Sequence, residues 1–269
     1  MKTSILNLNG EKKGEVELPR FFNEPIRKDL IKRSFEVWQC DQRQPYGAFW
    51  LAGKQNSASG IVSHQRRKWK TVCGYGISRI PRKIMSKKGS RFTWRGAFVA
   101  GTKGGRQAHP PKSEKIWAKK INSKEKKMAL NFAIAATADP EIIKNRYERM
   151  QDIDFKKINF PIVIEEKIMD IKKTDEMKKL LEKLLDGMIN IAIPKKNNRA
   201  GRGTMRSRPS KRQRGLLIVT EKDGLKSAEN LGIEVANVKE LNIGHLAPGG
   251  EAGRITIYTE NAIRELNKK

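Results

Sequence analysis

LLIVTEKDGLKSAENLGIEV, residues 216–235, decides the fold class. The continuous apolar run Leu216–Val219 has the length and branched side chains of a strand buried on both faces. Asp223 and Gly232 bracket a short helix, and Ile233–Val235 is a second strand. Strand, helix and strand in so short a stretch form a crossover unit, which joins parallel neighbours with a right hand.

The same alternation extends outward. Phe160–Ile164 is a short apolar strand run after Asn159. Thr174 is expected to cap a helix with Asp175 and Glu176 in its first turn, Met177, Leu180, Leu181 and Leu184 on one face, and Gly187 as its stop. Ile189–Ile193 reads as the next strand and Ile255–Tyr258 as another, while Leu246–Gly250 reads as a turn placing the last strand. Thr259 caps a final helix with Ala262, Ile263 and Leu266 inward. Toward the N-terminus, Thr3–Leu8 and Gly14–Leu18 form a hairpin about a turn at Gly10. Pro25 starts an amphipathic helix through Leu30, Ile31, Phe35 and Trp38 that ends near Gln39. Ser123–Thr137 is rich in helix formers, and Asp139-Pro140 opens a further helix toward Met150. The expected architecture is a three-layer α/β/α sandwich with a mainly parallel sheet.

Charge divides the chain differently. Its 57 Lys and Arg against 29 Asp and Glu leave a net charge of +28 in 269 residues. Residues 43–112 hold 16 Lys and Arg and no acid, and residues 195–214 hold nine more, again with no acid. The remainder is nearly neutral. Ordinary solvated faces mix both signs, so these segments are built for a polyanion, and nucleic acid is the first candidate. Ten of the 22 glycines and eight of the 18 aromatics, Tyr46, Phe49, Trp50, Trp69, Tyr75, Phe92, Trp94 and Phe98, also fall in 43–112. Aromatics suit stacking on unpaired bases, and glycine lets backbone approach phosphate closely. A structureless stretch this long is out of place inside a compact domain. The organisation expected is a globular α/β domain of residues 1–42 and 113–269, with 43–112 inserted as an extended basic RNA-binding loop. His109-Pro110-Pro111-Lys112 would stiffen its return.

Other function classes find little support. Cys40 and Cys73 lack the spacing of a redox pair and the density of a disulfide scaffold, which fits a reduced cytoplasmic setting. The stretch MKTSILNLNGEKKG has no apolar signal region, and no apolar run approaches the roughly 20 residues of a membrane span. No partner membrane is expected. Gly47 to Gly53-Lys54-Gln55 has the wrong gap for a phosphate loop and lacks its hydroxyl. His64, His109 and His245 have no neighbours at metal-ligand spacing, so neither metal nor cofactor is expected. Glu165 and Glu166 follow a strand, where acids can hold a ribose, though a solvated loop is the commoner role. An RNA-modifying enzyme with basic RNA grips is the alternative, which affinity for adenosylmethionine or a nucleotide would favour.

Six stretches together carry a resemblance. They are RQPYGAFWLAGKQNSAS (Arg43–Ser59), RIPR (Arg79–Arg82), GGRQAHPPKSEK (Gly104–Lys115), AIAATAD (Ala133–Asp139), NRAGRGTMRSR (Asn198–Arg208) and HLAPGGEAGRITIYTENA (His245–Ala262). In order and spacing they resemble the family of universal large-subunit ribosomal protein number four, in its archaeal and eukaryotic form. The resemblance implies a non-enzymatic constituent of the large subunit, located in the cytoplasm within the ribosome. It implies binding to large-subunit ribosomal RNA, contact with neighbouring ribosomal proteins, a role in subunit assembly, and a loop that helps line the polypeptide exit tunnel beside the nascent polypeptide. RRKWK (Arg66–Lys70) and Gly74-Tyr-Gly-Ile-Ser-Arg79 occupy the place of the family's loop tip, with Ile77 where the family often has arginine.

The RNA-binding residues expected in the first segment are Arg43, Tyr46, Lys54, Arg66, Arg67, Trp69, Lys70, Gly74, Gly76, Arg79, Arg82, Lys83, Arg91, Trp94, Arg95, Lys103, Arg106, His109 and Lys112. In the second they are Arg199, Arg202, Arg206, Arg208, Arg212 and Arg214. Arg66, Arg67, Trp69, Lys70 and Arg79 form the expected tunnel tip.

Overall fold

The computed structural model describes residues 2–58, 73–89, 91–147, 158–185, 187–222 and 224–268. The chain divides into two compact units, one of residues 1–42 with 118–269 and one of Arg43–Trp117.

The first unit is built on a six-stranded sheet. Its strands are β1 (Lys2–Leu6), β2 (Lys12–Glu17), β5 (Ile162–Ile164), β8 (Leu217–Thr220), β9 (Glu234–Asn237) and β10 (Thr256–Thr259), in the order β2-β1-β5-β10-β8-β9. Only β1 and β2 pair antiparallel; the other four pairings are parallel. Alternate residues feed two buried clusters, as the two-residue period of a strand requires. Val163, Leu217, Val219 and Tyr258 join α1 (Lys28–Asp41), α2 (Ser123–Ala135) and α9 (Glu260–Leu266) on one face. Ile162, Ile164, Ile218 and Ile257 join α3 (Pro140–Arg146), α4 (Thr174–Leu184) and α7 (Lys226–Asn230) on the other. This is the expected three-layer arrangement.

The local signals hold in part. Asp139 and Thr259 cap their helices by accepting from the Glu141 and Ala262 amides. Helix α1 begins at Lys28, past Pro25. Lys173 occupies the cap position expected of Thr174, which is the first helical residue. Helix α3 ends at Arg146, and Met150 lies outside the described residues, as does Asp223. The stretch expected as a turn holds the end of α8 (Ile243–Leu246) and a 3-10 turn, Pro248–Gly250.

Ile189–Ile193 is not a strand. It contains the short helix α5 (Ile189–Ala192), whose Ala192 is buried four residues after Met188, the buried residue at its N-cap. A short apolar run fits either period, and β8 already has β10 and β9 on its two edges. The second basic segment is likewise no plain loop. It is a hairpin of β6 (Lys196–Asn198) and β7 (Ser210–Arg212), with α6 (Arg202–Met205) between them.

The Arg43–Trp117 unit also carries regular structure, contrary to the sequence expectation. Strands β3 (Arg82–Lys88) and β4 (Arg91–Gly96) form an antiparallel hairpin. Among its described residues only Ala58, Pro81 and Ala97 are buried.

Candidate nucleic-acid interface

In the Arg43–Trp117 unit the hairpin turns its aromatics to one side. Phe92 and Trp94, two apart on β4, meet edge to face with centroids 5.4 Å apart, while Arg91 and Arg95 are exposed. The register sets Lys83 opposite Arg95 and Lys88 opposite Arg91. Like charges directly opposite destabilise a strand pair, so this hairpin is best satisfied with an anion lying along it.

The two ends of this unit's chain meet in an aromatic and cationic cluster. Tyr46 stacks on Trp117 with centroids 5.5 Å apart and planes 23° from parallel. The Arg43 guanidinium lies 4.0 Å from the Trp117 ring centroid, and the Lys115 ammonium 5.0 Å. Such contacts hold cations without neutralising them. Gly74 and Gly76 both take positive φ, +88° and +69°, in a turn that leaves Tyr75 exposed. Arg79, Lys103, His109 and Lys112 are exposed, and Arg82, Lys83 and Arg106 half-buried. Among the described residues, Lys54, Arg79, Lys83, Arg91, Arg95, Lys103, Arg106 and Lys112 form no ion pair. Arg66, Arg67, Trp69 and Lys70 lie outside the described residues.

The second basic surface belongs to the sheet unit. In the β6–β7 hairpin Lys196 faces Arg212, a third pair of like charges. The Arg199 amide donates to the Pro209 carbonyl at 2.8 Å, and the Thr204 hydroxyl donates to the Arg199 carbonyl at 2.8 Å. These bonds brace the end of the hairpin, and Gly201 turns it with φ +77°. Arg199, Arg202, Arg206 and Arg208 are all exposed around it.

At its base the hairpin is tied to the core. Arg214 pairs with Glu234, and Arg212 lies over Gly232, where a Cβ would come within 2.9 Å of its guanidinium nitrogen. Arg254, 1% exposed, donates to the Gly215 carbonyl at 2.8 Å, the Leu216 carbonyl at 3.2 Å, the His245 carbonyl at 2.6 Å and Glu234 at 2.6 Å. Burial pushes the Glu234 carboxyl up, but Arg254 and Arg214 outweigh it and hold the group below its ordinary range. Burial also pushes the His245 imidazole down.

Among the described residues no group of three or more His, Cys, Asp or Glu could hold a metal ion, and no helix is long and apolar enough to cross a membrane. Glu165 is not a solvated loop residue. It is buried, accepts from Lys13 at 2.5 Å, and its amide bonds the Leu6 carbonyl, which fixes the end of β5 against β1.

A profile of the ribosomal protein L4/L1 family matches residues 16–269. The chain belongs to that family. It is 38% identical over 278 residues to large ribosomal subunit protein uL4 of Nanoarchaeum equitans, covering 100% of this chain and 98% of that one. It is 39% identical to uL4 of Methanospirillum hungatei, with 99% and 98% covered, and 36% identical to uL4 of Halobacterium salinarum, with both chains covered completely.

In this L4/L1 chain the sequence reading missed residues at the edge of its first basic segment. Glu114 ends the acid-free run, so counting charge stops short of Lys115 and Trp117. Phe49 and Trp50, both more than half exposed, were legible as aromatics but carried no signal of position. Arg254 falls within the quoted stretch His245–Ala262, but a lone arginine before a strand gives no sign of its burial.

Proposed function

We propose that this chain is a structural constituent of the large ribosomal subunit, without catalytic activity, that holds large-subunit RNA and neighbouring ribosomal proteins. The observation that carries it is the like-charge register. Lys83 with Arg95, Lys88 with Arg91 and Lys196 with Arg212 face each other across two hairpins, in segments without a single acid. Phosphates along these hairpins would turn each repulsive pair into a two-point contact. The sheet unit presents Arg199, Arg202, Arg206 and Arg208, and residues 43–112 act as an extended RNA-binding loop.

The finer reading follows the family resemblance and the chain's reach. An extended chain spans about 3.3 Å per residue, so even with 82–96 doubled back as a hairpin, the segment of residues 43–112 is long enough to pass into a large RNA. Its middle, Arg66 to Arg79, is read as a wall of the polypeptide exit tunnel, where Trp69 offers a flat surface and Arg66, Arg67, Lys70 and Arg79 set the field beside the nascent polypeptide. The setting is the cytoplasm, and the assembled ribosome is its location.

The test is co-sedimentation of the tagged chain with large subunits and cross-linking to their RNA. Affinity for a large-subunit RNA fragment should fall by orders of magnitude between roughly 50 and 200 mM salt. A flat salt response, or absence from large subunits, overturns the reading.

A further inference from the structure

A cleft in the Arg43–Trp117 unit has features that phosphate binding does not explain. Its volume is about 890 Å³, with residues 48–54 as one wall and 105–114 as the other. The walls are fixed where they meet. At one end the Ala48 amide donates to the Pro111 carbonyl at 3.0 Å, and a Cβ on Gly47 would sit 2.6 Å from the Ser113 nitrogen. At the other end a Cβ on Gly53 would lie 2.5 Å from the Gly105 carbonyl carbon, so two backbones touch through glycines. Turns closed from the Ala52 amide to Phe49 and from the Lys54 amide to Leu51, both 2.9 Å, hold one wall, and Pro110 and Pro111 stiffen the other. The opening is therefore preformed, which lowers the cost of filling it.

The lining combines three chemistries. Trp50, 72% exposed and tilted against Phe49 with ring centroids 6.3 Å apart, offers an aromatic surface. Lys54, Arg106 and Lys112 are cations. Glu114 is the single carboxylate of the lining, and among the described residues it forms no ion pair with them. A carboxylate beside a phosphate path repels the very chain the cations attract. Its natural partner is a hydrogen-bond donor edge.

We propose that this cleft takes one unpaired guanine of the bound RNA, stacked on Trp50, with its Watson–Crick edge on Glu114 and its flanking phosphates held by Lys54, Arg106 and Lys112. Guanine presents two adjacent donors, N1–H and the 2-amino group, that match the two carboxylate oxygens. Adenine and cytosine each set an acceptor nitrogen beside their one donor, and uracil sets a carbonyl on both sides of its own. Each of the three would bring a lone pair against the carboxylate. The inference rests on the RNA-binding reading and adds base selectivity to it.

The test uses the full chain and hexauridylates carrying one central guanine, adenine, cytosine, uracil or hypoxanthine, followed by fluorescence anisotropy at one salt concentration. Guanine should bind about 5- to 100-fold tighter than the other natural bases, as a bidentate contact to a base edge does. Hypoxanthine, which lacks the 2-amino group, should lose most of that gain without any change to the protein. Glu114→Ala should erase the preference while leaving hexauridylate affinity equal or higher. Trp50→Ala should weaken all the oligomers alike. Equal affinities for the four bases, or no hexamer bound, overturn the guanine site while binding of a large-subunit RNA fragment leaves the general reading intact. Failure to bind the fragment as well overturns both. A preference that survives Glu114→Ala, or guanosine monophosphate competing as strongly as the oligomer, also overturns it.

Discussion

Arg254 is a charge removed from water, and the geometry around it explains how a hairpin of cations stays fastened to an apolar sheet. Its guanidinium gathers carbonyls from Gly215, Leu216 and His245 and one oxygen of Glu234, so the end of the basic segment, β9 and α8 converge on one side chain. Without Arg254, Glu234 would keep Arg214, but the Gly215, Leu216 and His245 carbonyls would lose their shared donor inside the core. Arg254→Ala should therefore cost about 2–4 kcal/mol of stability, measured by urea unfolding of the free chain. Beside it, His245 is pushed down by burial, with Arg254 and Arg214 adding to the effect and Glu234 opposing it. A histidine whose folded pKa lies below its unfolded value of about 6.5 stabilises the fold above that pH, and the contribution is lost as pH falls through the folded pKa. The free protein should therefore melt at lower temperature as pH drops from 7.5 to 5. His245→Gln should flatten that slope; an unchanged slope would show that other groups set it.

At the scale of elements, what the sequence discloses depends on whether a pattern has one reading. Leu216–Val219 is legible because four apolar residues in a row, flanked by Gly215 and a turn, fit a strand buried on both faces. Ile189–Ile193 looks the same, and only the occupied edges of β8 decide against it. The β3–β4 hairpin is hidden differently. Phe92 and Trp94 do alternate with Arg91, Thr93 and Arg95, but the cations obscure the period, and no core shows which side is inward. The cleft at Glu114 leaves no local trace, because its walls are closed by residues more than 50 positions apart, Gly53 and Gly105. The β6–β7 hairpin was visible as charge alone. Its geometry now gives the charge a use: Arg202 begins α6 and Arg206 follows it, both exposed and joined to no acid among the described residues. Changing both to Glu should lower affinity for a large-subunit RNA fragment at least tenfold and reduce the salt slope, with the melting temperature near that of the parent chain. Lost stability with retained affinity would make these arginines partners of the fold.

At the scale of the whole molecule, charge and core are partitioned. Both buried clusters draw their residues from outside 43–117, while Ala58, Pro81 and Ala97 are all that the described part of that unit buries. The sheet unit thus has its own core, and the basic unit depends on the β3–β4 hairpin, local turns, close glycine contacts and aromatic pairs. Helices α1 and α2, which flank the basic unit in sequence, share the same buried cluster, so their packing does not require the residues between them. Closing a connection depends only weakly on its length, about 0.6 kcal/mol per doubling. Replacing residues 46–111 with a short Gly/Ser linker should therefore leave a chain that unfolds in one cooperative transition, with a melting temperature close to that of the full chain. The removed residues carry half of the net charge of +28, so the shortened protein should also hold RNA more weakly and with a smaller salt slope. Calorimetry of the two chains decides the point. A shortened chain that melts broadly, or not at all, would show that the basic unit completes the fold and is more than an RNA grip attached to it.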